Sequence, residues 1–129
     1  MKFGYTIIYV ADVRATLAFF EQAFGLETKF LHETGDYGEL QTGETTLSFA
    51  SHALAQLSLP DQYEAIDQMP KPASFEIGLT TQEVPKAVEK AIQAGASLLM
   101  EPTEKPWGQV VAYVKTPGNL LVELCTPMG

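Results

Sequence analysis

Positive charge is scarce in this 129-residue chain: 8 Lys and Arg stand against 16 Asp and Glu, for a formal net charge of -8. That balance excludes general nucleic-acid binding, which needs clustered Lys and Arg to neutralise phosphates. It also disfavours an anionic membrane surface. Cysteine is nearly absent. Cys125 stands alone, so no internal disulfide can form, and without a Cys-x-x-Cys pair neither zinc-ribbon nor thioredoxin-type chemistry is available. Long apolar runs are missing too; none reaches the ~18 residues needed to span a bilayer. There is no Gly-x-Ser-x-Gly and no phosphate-cradling Gly-rich loop ahead of a helix. The start, MKFGYTIIYVADV, reads as a strand and not as a secretory signal, so the cytoplasm is the expected location.

What is present is apolar material, 46% of the residues, enough for one compact unit that buries roughly two thirds of its unfolded surface. Tyr5 to Val10 is aromatic and β-branched and predicts a strand with apolar residues on both faces. Val13, Leu17, Phe20 and Phe24 then fall on one helical stripe, with Asp12 placed to cap its start and Gly25 its end. Three strands are expected near Glu27 to Glu33, Tyr37 to Thr42 and Thr45 to Ser51, turning at Gly35-Asp36 and Gly43-Glu44. The pattern lapses over residues 52–72, where Pro60, Pro70 and Pro72 predict a long connection with a helical turn near Gln62 to Ile66.

The second half repeats the first. A strand over Phe75 to Thr80 precedes a helical stripe of Val84, Val88, Ala91 and Ile92, closed by Gly95. Strands follow near Ser97 to Glu101, Gln109 to Lys115 and Leu120 to Thr126, with a tight turn at Pro117-Gly118-Asn119. Gly25 pairs with Gly95 and Gly43 with Gly118, a repeat of about 70–75 residues and the mark of an internal duplication. The expected fold is α+β: two repeated βαβββ modules, residues 1–51 and 73–129, forming one domain as a cupped mixed sheet around a cavity.

The segments YTIIYVADVRATLAFFEQAFGLE, AIQAGASLLMEP and KPWGQVVAYVKTPGNLLVEL resemble the vicinal oxygen chelate superfamily. That group includes glyoxalase I, methylmalonyl-CoA epimerase, extradiol dioxygenases, fosfomycin-modifying enzymes and the bleomycin-resistance binding proteins. The resemblance covers nearly the whole chain apart from the connection. It implies the paired-module fold and a homodimer. It also implies that the cavity positions where the metal enzymes place His, Glu or Gln are here Tyr5, Ser48, Glu76 and Glu123.

The same fold hosts metal enzymes and metal-free binders, so the donor types decide. The enzymes usually supply at least one His; here His32 is expected on the second strand and His52 just past the fourth. Neutral imidazole is a good ligand for first-row metals, whereas protonated Tyr and Ser are poor ones. Two carboxylates with waters could hold a hard cation, but they do not make a catalytic zinc or nickel site. The leading expectation is therefore metal-independent binding of a small cationic or amphipathic organic molecule without a cofactor, in the manner of the bleomycin-resistance proteins. Glu76 and Glu123 would supply charge, Tyr5, Trp107 and Tyr113 aromatic surface, and Ser48 a hydroxyl. The alternative is a glyoxalase-, epimerase- or dioxygenase-like enzyme with one divalent metal on Glu76 and Glu123, its shell completed by His32 or by a partner chain.

Overall fold

The computed structural model describes residues 1–128 and contains the two modules that the repeat predicts. The first runs β1 (Tyr5–Val10), α1 (Val13–Phe24), β2 (Thr28–Leu31), β3 (Tyr37–Leu40) and β4 (Thr46–Ser51). A connection carrying α2 (His52–Ser58) and a 3-10 turn (Ile66–Gln68) leads to the second. That module runs β5 (Ile77–Thr80), α3 (Val84–Ala94), β6 (Ser97–Glu104), β7 (Val110–Lys115) and β8 (Leu121–Cys125). Each forms a four-stranded mixed sheet, ordered β1-β4-β3-β2 and β5-β8-β7-β6. The first and last strands of a module lie side by side and parallel, because the helix crosses between them; the remaining pairs are antiparallel.

The caps form as the sequence suggests. The Asp12 side chain accepts a hydrogen bond from the Ala15 N–H, and Gly25 ends α1 in the left-handed conformation, φ 71°. Alternation along the strands divides each sheet into two faces. Ile8, Leu40 and Phe49 are buried beneath α1, and Ala112, Val114, Val122 and Leu124 beneath α3. Gly38 lets α1 approach closely; a Cβ there would lie 2.6 Å from Leu17 Cδ1. The two helices also pack against each other, so one hydrophobic cluster runs through both modules. The sheet faces that turn away from the helices stay open: Tyr5, Ile7, Phe30 and Met100 are all exposed.

Three local expectations are corrected. The expected turn at Gln62 to Ile66 forms instead at Ile66–Gln68, and the connection opens with an unexpected helix, α2, capped by the Ser51 hydroxyl on the Leu54 N–H. Strand β5 starts at Ile77, which leaves Phe75 and Glu76 just ahead of it. Strand β6 runs on through Pro102, tolerated because β6 is an edge strand whose outer N–H groups need no partner.

The connection is pinned to the second module. The Asn119 side-chain amide donates to the carbonyls of Ile66 at 2.8 Å, Met69 at 3.0 Å and Lys71 at 3.4 Å. At its other end His52 Nε2 meets Asp67 Oδ1 at 2.6 Å and His52 Nδ1 meets the Tyr63 hydroxyl at 3.0 Å, while Tyr63 packs on Tyr9. No described helix is long and apolar enough to cross a membrane.

Candidate functional site

The β-ladder registers place the expected site residues. In the second module Gly78 and Tyr113 both pair with Glu123, so Glu123 sits mid-sheet on the open face with Tyr113 beside it. Glu76, two residues before Gly78, reaches the same place. The Tyr113 hydroxyl donates to Glu123 Oε1 at 3.0 Å, and the Glu76 carboxyl is close enough to feel the Glu123 carboxyl. Tyr113 and Glu123 are half-buried, Glu76 is exposed.

This clustering sorts the two carboxyls. Although Glu76 is exposed overall, partial desolvation of its carboxyl raises it, and the neighbouring Glu123 carboxyl raises it further, above the usual carboxylate range. Burial also pushes Glu123 upward. The nearby polar groups of Cys125, Tyr113 and Glu76, with the positive charge of Lys105, outweigh burial and hold Glu123 below its ordinary value. Glu123 is thus the ionised member and Glu76 the one that keeps a proton longer. Tyr113 is pushed up to about 12 by burial and then by the Glu123 carboxylate, so its hydroxyl remains a donor at neutral pH. The same two causes move the buried Cys125 thiol up to about 11, which leaves it an unreactive packing group.

Tyr5 and Ser48 lie on the open face of the other sheet. Ser48 pairs with Ile7 on one side and Glu39 on the other. It is fully buried, and its hydroxyl donates to the Thr6 carbonyl at 3.3 Å. Beside it the Tyr37 hydroxyl donates to Glu39 Oε2 at 2.8 Å. Burial raises Tyr37, the nearby Ser48 hydroxyl opposes this, and the Glu39 carboxylate adds to the rise.

The structure therefore brings the expected residues together in two groups: Tyr5 and Ser48 on one sheet, Glu76, Glu123 and Tyr113 on the other. No hydrogen bond or ion pair among the described residues links the groups. Trp107, at the β6–β7 hairpin, is exposed; its indole N–H donates to Gln109 Oε1 at 2.9 Å beside Pro127 and Met128. Sequence reasoning missed Tyr37, Glu39 and Lys105. The first two were findable, since alternate residues of a strand share a face and Glu39 pairs with Ser48.

The two histidines are engaged elsewhere. His32 Nδ1 bonds the Thr34 hydroxyl at 2.9 Å in the first module, and His52 serves Asp67 and Tyr63. Among the described residues no group of three or more His, Cys, Asp or Glu is arranged to hold a metal ion.

The sequence pattern of the glyoxalase/bleomycin resistance protein/dioxygenase superfamily matches residues 2–124. No curated protein matches the chain. Solved structures share the fold. A glyoxalase/bleomycin resistance protein/dioxygenase family enzyme from Burkholderia phytofirmans PsJN superposes with a TM-score of 0.82 at 23% identity, over 99% of this chain and 100% of that one. A glyoxalase-related enzyme from Fulvimarina pelagi gives 0.83 at 18% identity, over 100% and 93%. TioX from Micromonospora sp. ML1 gives 0.72 at 14% identity, over 99% and 100%.

Proposed function

Because the chain belongs to the glyoxalase/bleomycin resistance protein/dioxygenase superfamily, whose fold is shared by metal enzymes and metal-free binders, we propose that its open sheet faces bind a small cationic or amphipathic organic molecule without a metal. The observation that carries this reading is the Glu76–Glu123 pair. Two carboxyls act on each other on an exposed sheet face, with an ionised Glu123 held by Tyr113 and no ion pair to Lys105. A carboxylate pair of this kind is relieved by a proton or by a cation. An ammonium group seated between them would take both carboxylates as acceptors. Tyr113 and the exposed Met100 paired with it offer an apolar wall for the rest of the molecule.

A homodimer belongs to the same reading. Tyr5, Ile7, Phe30 and Met100 leave apolar area uncovered on the open faces of both sheets. A second copy would cover these faces and close a cavity over Glu123. Sedimentation equilibrium reads this directly, and a monomer at micromolar concentration would remove the dimer from the proposal.

The binding test is calorimetric titration with bleomycin and, separately, with benzylammonium chloride, with and without EDTA. The expected result is saturable binding, unchanged by EDTA and weakened about tenfold or more in Glu123→Gln. Absence of binding by both probes, or binding that requires a divalent metal retained through purification, would overturn it.

A further inference from the structure

The duplication has produced two clefts at opposite ends of the α1–α3 pair, and they differ in charge. One, of about 500 Å³, lies against the start of α1 and the end of α3; its lining includes Asp12, Ala15, Phe19, Asp67, Ala94 and Pro117, and no Lys or Arg. The other, of about 350 Å³, lies against the start of α3 and the end of α1. The two helices begin at Val13 and Val84, so Ala15 and Phe19 in the first cleft correspond to Lys86 and Lys90 in the second.

This correspondence serves as an internal control. Ala and Phe satisfy the packing demands of the first cleft, so the helix pair does not require lysine at these places. Lys86 and Lys90 stand one turn apart on the same face of α3, and neither is in an ion pair among the described residues, in a chain with a net charge of -8. Both line the cleft with Thr80 and Thr81. The Thr81 Oγ1 accepts from the Glu83 N–H, which leaves its own hydrogen free to donate. The remaining walls are apolar: Phe24, Leu79, Ala87 and the buried Leu124. Glu83 is the one acid in the lining, so the cleft carries an excess of a single positive charge.

We propose that this cleft binds a small organic monoanion, a carboxylate with a short apolar body. The carboxylate lies between the Lys86 and Lys90 ammonium groups, and the body rests on Phe24 and Leu79. Inorganic phosphate has no apolar body to rest on Phe24 and Leu79, so it gains less there than an organic carboxylate. The cleft lies on the helix side of the β5–β8 pair, opposite the face that carries Glu123, so this inference stands or falls independently of the cation reading.

The test uses the ¹⁵N-labelled full chain, titrated with sodium hexanoate, and with hexylammonium chloride and sodium phosphate in parallel. With hexanoate the amides of Phe24, Thr80, Thr81, Lys86 and Ala87 should shift saturably. The Lys86→Gln/Lys90→Gln double variant should weaken that binding about tenfold or more, and added salt should weaken it too. Both lysines are exposed, so the variant should fold, and an unchanged melting temperature would verify this. Unsaturable shifts, shifts centred on Ala15 and Phe19 or on the open faces, an equal response to phosphate, or undiminished binding in the double variant would each overturn the proposal.

Discussion

Tyr113 holds Glu123 in its ionised form. The phenol donates to Oε1 at 3.0 Å from the neighbouring strand, and with Cys125, Glu76 and the charge of Lys105 it keeps Glu123 below the usual carboxylate range while Glu76 is raised. Removing the charge on Glu123 should therefore reset its neighbours. In Glu123→Gln the Glu76 carboxyl loses a like-charged partner, and its titration midpoint should fall toward the ordinary value. Tyr113 should fall from about 12, since part of its rise comes from the Glu123 carboxylate. Carboxyl and phenol ¹³C shifts followed against pH report both. A Glu76 midpoint that stays raised in the variant would show that burial alone sets it.

The expected site residues Tyr5, Ser48, Glu76 and Glu123 were legible through the family resemblance, not through strand alternation alone. The register adds that Gly78 and Tyr113 pair with Glu123, while Glu76 lies just ahead of β5, where alternation no longer fixes a side chain's face. The repeat also made the two modules readable before any pairing was known. Other features were not legible. The seven-residue α2 is too short to show a helical period, and only its Ser51 cap marks it. The His52–Asp67 contact spans an irregular connection that no periodicity describes. Whether the two groups of open-face residues meet depends on how the modules are joined. That is decided by helix–helix packing between α1 and α3, which a single strand pattern does not encode.

Gly38 tests the helix–sheet seam. Its backbone takes no unusual conformation, so the reason for glycine is space: an added Cβ would lie 2.6 Å from Leu17 Cδ1 and 3.2 Å from Val13 Cγ1, both in the buried core. Gly38→Ala should destabilise the chain by about 1–3 kcal/mol through overpacking. Urea denaturation measures it through a lower midpoint at unchanged slope. A neutral or stabilising outcome would mean that α1 rides over the sheet with slack.

Asn119 tests the strap. Its backbone is left-handed, φ 69°, and its side chain serves three carbonyls of the connection. Asn119→Gly keeps the backbone freedom and loses the bonds; Asn119→Ala loses both. Both variants should be cut faster by protease within residues 59–72 than the parent chain. The alanine variant should also melt lower than the glycine variant, by roughly 1 kcal/mol of backbone cost. Equal protection of the connection in all three proteins would show that Asn119 does not hold it.

The raised Glu76 gives cation binding a definite pH dependence. A group with a raised folded-state value favours the protonated native state, so its contribution to stability is present at low pH and is lost as pH rises through the folded value. Glu123 and Asp67, both lowered, act in the opposite sense: their contributions are present above the unfolded value and lost as pH falls through the folded one. A bound ammonium reverses the penalty at Glu76, because it favours the ionised carboxyl. Binding should then release a proton over the pH range where free Glu76 is still partly protonated. Benzylammonium affinity should fall by at most about tenfold per pH unit below that midpoint and level off above it. Calorimetry in two buffers of different ionisation enthalpy counts the proton. In Glu76→Gln the release should vanish. A proton released just as before in that variant would place the cation elsewhere than between Glu76 and Glu123.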